Sequence, residues 1–123
     1  MPKGLCSLSA YKQATHFSKI IFNIANQLPS VERFRLADQM IRSSRSIAAN
    51  IAEGYGRFYF QDNIRFCRMA RASIFETQFH LQCAFDCNYI DSKIYNNMMN
   101  ESMHLLRNLS GYIRFLNKRI QQN

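Results

Sequence analysis

Tryptophan is absent from this chain, valine occurs once (Val31), threonine twice (Thr15 and Thr77), and glycine and proline together number six. So little valine and threonine, and so few turn formers, exclude sandwiches, barrels and alternating βαβ folds. No window approaches 18 uncharged apolar residues, so no segment is expected to cross a membrane. The opening residues MPKGLCSLSA lack the apolar stretch of a secretory signal. The four cysteines (Cys6, Cys67, Cys83 and Cys87) are therefore expected as reduced thiols in a cytoplasmic protein. What remains is rich in leucine, isoleucine, alanine, methionine, arginine and glutamine. With 123 residues, 47% of them apolar and 20% charged, the chain has the makings of one helical domain with a real core.

The formal charge of +8 is unevenly placed. Residues 1–29 carry +3, residues 30–75 carry +4, residues 76–101 carry −3 and residues 102–123 carry +4. Eleven of the sixteen bases are arginine, the cation suited to bidentate phosphate contacts and to stacking on flat rings. This balance points to a polyanionic partner, nucleic acid ahead of an anionic membrane.

Apolar spacing predicts four helices, over about residues 10–28, 31–53, 61–88 and 92–120. In the first, Ala14, Phe17, Ile20 or Ile21, Ile24 and Leu28 recur every three or four residues, and Pro29 stops it. Ser30 is expected to cap the second, whose stripe is Leu36, Met40, Ile47 and Ile51 among the small residues Ser43, Ser44, Ala48 and Ala52. Gly54 and Gly56 are expected to end it through their tolerance of positive φ. The third helix carries two largely uncharged stripes, so more than one neighbour must cover it. Asp91 and Ser92 offer the cap of the fourth. Four helices with short connections predict an all-α, up-down-up-down antiparallel four-helix bundle in a single domain, residues 1–123.

Candidate chemistry is sparse. His80, Cys83 and Cys87 share a helical face and offer three metal donors, with His104 or Cys67 as a fourth, but core cysteines are the simpler reading. Gly54-Tyr55-Gly56 lacks the third glycine and the Lys-Ser/Thr of a phosphate cradle. No spacing ties Glu53, Asp62 or Glu76 to His16, His80 or His104 as base and nucleophile, and Ser43 and Ser44 lack a nucleophile elbow. A ferritin-like bundle needs paired Glu-x-x-His motifs, and only Glu101-x-x-His104 occurs. The chain is expected to be no enzyme and to need no cofactor or metal.

Residues 28–57 read LPSVERFRLADQMIRSSRSIAANIAEGYGR. Leu28-Pro29, Glu32, Leu36, Gln39, Arg42, Ser46-Ile47, Asn50-Ile51-Ala52-Glu53-Gly54 and Arg57 together resemble the motif of the 23S ribosomal RNA intervening-sequence protein family. Tyr11-Lys12-Gln13-Ala14 looks like the family's opening helix. Ala70, Ser73, Glu76 and Leu81 fit its later helix, with Ala72 where glycine is usual. The resemblance implies a four-helix bundle that assembles as a ring-like homo-pentamer and has no known catalytic reaction. The family is similar to the accessory variability determinants of diversity-generating retroelements, basic pentameric barrels that bind a reverse transcriptase and nucleic acid. Other relatives are encoded inside ribosomal RNA intervening sequences and have no settled role.

The leading expectation is a non-enzymatic, oligomeric binder of the RNA or DNA backbone. Its phosphate contacts fall to Arg57, Arg65, Arg68 and Arg71, with Lys118 and Arg119 as a second patch and Tyr55, Phe58, Tyr59 and Phe60 as stacking surfaces. Arg42, Glu53 and Arg57 sit inside the family motif and have a competing role in ion pairs and polar bonds that hold the bundle, so Arg42 and Glu53 are left out of the binding set. The alternative is a protein–protein module whose basic face docks an acidic partner, which a reverse transcriptase also satisfies.

Overall fold

In a computed structural model, which describes residues 4–122, every regular element is helical. The four long helices are α1 (Ser9–Asn26), α2 (Leu36–Tyr55), α3 (Phe60–Asp86) and α4 (Ser92–Gln121), with 3₁₀ turns at Leu5–Ser7 and Ser30–Glu32. Each packs on its neighbour in the chain, most extensively α2 on α3, and α1 closes the bundle against α4. The core takes Phe17 and Ile21 from α1 and Met40, Ile47 and Ile51 from α2, as their spacing predicts, together with Ile74 and Leu81 from α3 and Leu105, Leu109 and Leu116 from α4. The two stripes of α3 are both buried, through Ile64, Cys67, Ala70 and Ile74 on one side and Thr77, His80 and Ala84 on the other.

Polar ties set the register. Between α2 and α3 the Ser43 and Thr77 hydroxyls meet at 2.8 Å, and Ser46 donates to Ser73 at 2.6 Å. Between α3 and α4, Asn63 donates to the Tyr112 hydroxyl, Gln78 to Ser102 and Tyr95 to Gln82. In both sets the numbers on one helix rise as those on the other fall, so α2 opposes α3 and α3 opposes α4. Ser43, a residue type with catalytic potential, spends its hydroxyl on Thr77. Among the described residues no buried side-chain polar atom lacks a partner, as a dry core requires.

Three expectations about helix ends are corrected. α2 begins at Leu36, five residues later than its spacing predicts, because Ser30–Glu32 form a 3₁₀ turn and Arg35 leaves the helical region at φ −122° and ψ −106°. Ser30 makes no capping bond there; the Glu32 carboxylate accepts from the Leu36 N–H at 3.3 Å instead. Its other oxygen accepts from the Tyr89 hydroxyl at 2.8 Å, tying the α1–α2 connection to the α3–α4 turn. That bond holds the Tyr89 phenol above its usual range. α1 stops at Asn26, short of Pro29, with the Leu28 N–H closing on the Ala25 carbonyl at 3.2 Å.

The third correction concerns the glycines. Neither Gly54 nor Gly56 has positive φ, and α2 runs through Gly54 to Tyr55. Gly54 is required by proximity: a Cβ there sits 2.6 Å from Asn63 Oδ1, 2.9 Å from the Asn63 carbonyl oxygen and 3.0 Å from Phe66 Cβ. The left-handed residue is Asn88, at φ 61°, which ends α3. The Asn88 N–H returns to Phe85 and the Tyr89 N–H to Ala84, a Schellman closure in which asparagine stands in for glycine. The Asp91 cap is as predicted, its carboxylate accepting from the Ile94 N–H at 2.8 Å.

Candidate functional site

The connection between α2 and α3 is four residues long, and it meets the last turns of α4. Because α3 starts where α4 ends, residues 57–66 and 118–120 share one end of the bundle although about fifty residues part them in sequence. The Arg57 guanidinium lies over the Phe66 ring at 4.7 Å, and Arg65 lies over the same ring at 5.4 Å. Arg119 lies over Phe60 at 5.8 Å. Arg57 and Arg65 thus share the Phe66 ring while Arg119 covers a second ring, Phe60, six residues earlier on α3, each contact adding about 0.5–1 kcal/mol at an exposed site. Lys118 is exposed beside Arg119 on α4. Arg68 is exposed one turn beyond Arg65, and Arg71 reaches over Phe75 at 5.9 Å, about 9 Å along α3 from Arg65. Those two therefore extend the cluster along α3 rather than completing its end.

Two carboxylates intervene. Arg57 pairs with Glu53 at 3.6 Å and Arg65 with Asp62 at 3.8 Å, both pairs solvent-exposed. Exposed pairs of this kind contribute at most about 1 kcal/mol, so a phosphate can displace the carboxylate. Among the described residues, Arg68, Arg71, Lys118 and Arg119 have no carboxylate in ion-pair contact. Six cations against two acids leave a positive surface. Arg42 bonds Asp38 at 2.9 Å within α2, an exposed pair on a single helix, so this bond does not tie the bundle together as expected of it.

The aromatic residues divide by role. Phe60 is half-buried and occupied by Arg119, so it is no free stacking surface. Phe58 and Tyr59 remain open, at 89% and 63% exposure. Phe66, which the sequence does not single out, is the ring that both Arg57 and Arg65 lie over. Its adjacency to Arg65 was a signal, but the approach of Arg57 depends on the path of the connection.

The other candidates resolve into structure. His80 is buried and bonded to Glu76 at 3.1 Å, Cys83 is half-buried, and Cys87 is exposed at the end of α3. No group of three or more His, Cys, Asp or Glu side chains among the described residues is placed to hold a metal ion. The core reading of the cysteines in that set is corrected in part: Cys67 is fully buried, but Cys87 is exposed, as is Cys6. The His104 ring nitrogen accepts from Arg107 at 3.0 Å. No helix among the described residues is long and apolar enough to cross a membrane.

Burial pushes the Cys67 thiol up to about 11 from its usual 9.0. A raised folded-state value means that its stabilising effect is complete below about 9 and is lost as pH climbs through about 11. Denaturant midpoints are expected to fall across that window, and to fall less in Cys67→Ala. At neutral pH a thiol reagent is expected to modify Cys6 and Cys87 in the native protein and Cys67 only after unfolding, which a peptide-mass readout checks.

The profile of the 23S rRNA-intervening sequence protein family matches residues 7–111. No curated protein matches the chain. Among solved structures, a crystal structure of a protein of unknown function from the S23 ribosomal protein family of Bacteroides thetaiotaomicron is similar. It has a TM-score of 0.79 and 25% identity, over 85% of this chain and 95% of that one. With the profile covering most of the bundle, from the first 3₁₀ turn to the middle of α4, the chain belongs to the 23S rRNA-intervening sequence protein family.

Proposed function

We propose that this protein is a non-enzymatic scaffold that holds the phosphate backbone of RNA or DNA at the end of the bundle where α2, α3 and α4 meet. The observation that carries this reading is that Arg57 and Arg65 lie on Phe66 and Arg119 lies on Phe60 at this end of the bundle, with Lys118 next to Arg119 in the chain. Guanidinium groups held against rings lose less side-chain freedom when a phosphate arrives, and each releases a counterion from the nucleic acid. The contacts are to phosphate and carry no base code of their own.

The proposal includes an up-down-up-down path and a ring-like homo-pentamer, which sets several such ends around one axis. An assembling face is favoured by Met69, Phe75 and Phe79 on the outer side of α3, which are 49%, 47% and 63% exposed. In its most concrete form the protein supports a reverse transcriptase, as the accessory proteins of diversity-generating retroelements do. The same exposed apolar side favours a second reading, a protein–protein module of the kind encoded in ribosomal RNA intervening sequences.

Salt-titrated binding of labelled RNA and DNA tests the leading reading. If all six cations engage phosphate, the log–log slope is expected near roughly −4 for a single strand, at about −0.7 per contact. No binding at low salt overturns it, and sedimentation measures the assembly.

A further inference from the structure

Phe58 and Tyr59 are the most exposed pair of neighbouring aromatic residues among the described residues, and Arg57 directly precedes them. Leaving such rings in water forgoes about 1.5–3 kcal/mol of burial each. Their surroundings are cationic, with Arg57 preceding them and Arg119 on the Phe60 ring that follows. A partner that covers them has to bring flat apolar faces together with negative charge. Nucleic acid does both, and most partner proteins do not.

The geometry narrows the class further. The two rings lie edge to face, with centroids 4.9 Å apart and planes at 82°. Perpendicular rings cannot both enter one continuous base stack. Bases that meet both have to be splayed apart, which an unpaired strand allows freely and a duplex permits only by unstacking at a cost of a few kcal/mol per step. Beside the rings is an open cleft of about 480 Å³ lined by Phe58, Tyr59, Phe60, Gln61 and Ile120. The Gln61 amide there supplies one donor group and one acceptor to a base edge.

Resting on the phosphate-binding reading above, we infer that this end of the bundle selects unpaired over paired nucleic acid, stacking splayed bases on Phe58 and Tyr59 while the flanking arginines hold the backbone. Base–aromatic stacking of this type is worth about 1–3 kcal/mol per base and tolerates any sequence.

The chain contains no tryptophan, so Phe58→Trp introduces a single indole reporter at a site whose exposure leaves the fold undisturbed. An unpaired oligonucleotide is expected to quench this indole, and a blunt duplex of the same sequence to leave it bright. In parallel, the Phe58→Ala, Tyr59→Ala double variant is expected to lose about tenfold or more in affinity for the unpaired strand and little for the duplex. If both forms bind equally and the double variant changes neither, the selection is overturned while the phosphate reading stands. If neither form binds at low salt, the phosphate reading itself has failed. An indole already shielded before nucleic acid is added, with assembly lost in the double variant, overturns the inference in favour of a seam between copies.

Discussion

Gly54→Ala is expected to lower stability by about 3 kcal/mol, roughly 10 °C in melting temperature for a domain of this size. The added methyl group meets Asn63 from two sides, at 2.6 Å from its side-chain oxygen and 2.9 Å from its carbonyl oxygen. Asn63 is buried and cannot simply turn away, because it donates to the Tyr112 hydroxyl at 3.0 Å and its oxygen receives the Cys67 thiol at 3.5 Å. Either α3 moves off α2 or that network opens, and an opened buried network costs about 1–3 kcal/mol per orphaned group. Alanine gains about 1 kcal/mol in helix propensity, too little to offset this. Gly111→Ala is the control. It lies inside α4 with its nearest neighbour 3.6 Å from the added carbon, and is expected to stabilise by about 0.5–1 kcal/mol. Thermal melts of the two variants side by side decide the matter: like responses mean that close approach is not what keeps Gly54.

Replacing Arg57, Arg65, Lys118 and Arg119 together by glutamine is expected to reduce affinity for unpaired nucleic acid by about 100-fold or more near 0.1 M salt, and to flatten the salt slope by about 3. All four side chains are exposed, so the fold should tolerate their loss. The change halves the formal charge of +8, which by itself weakens attraction to any polyanion. The control therefore removes the same charge elsewhere: Lys19, Arg33, Arg45 and Lys93, all exposed, replaced by glutamine. If the site is local, that control keeps most of the slope. Equal losses in the two quadruple variants mean that diffuse net charge, and no particular end of the bundle, attracts the nucleic acid.

The elements predicted best were those whose causes are local. The stripe residues Phe17, Ile21, Met40, Ile47 and Ile51 went to the core because a 3.6-residue period places them on one side whatever the neighbours are. Asp91 caps α4 through a bond three residues away. The start of α2 was misplaced because its cap, Glu32, is fixed in part by Tyr89, fifty-seven residues downstream. Ser30 had the usual capping chemistry and no such anchor. The glycines were misread for the same reason: φ is a local property, whereas the contact of Gly54 with Asn63 exists only once α2 and α3 pack.

By itself, then, the sequence determined an all-helical chain, the order of its helices, the residues of its core, its family and its excess of arginine. The family came from the resemblance of its motif; the others depend on composition or on spacing within a few turns. Only the tertiary structure decided which arginines lie on which rings. It brought Arg119 to Phe60 and Arg57 to Phe66, left Phe58 and Tyr59 uncovered, and withdrew Cys67 while leaving Cys87 in water. The physical reason is that such neighbours are set by the length and pairing of whole helices, through contacts that no short window of sequence contains.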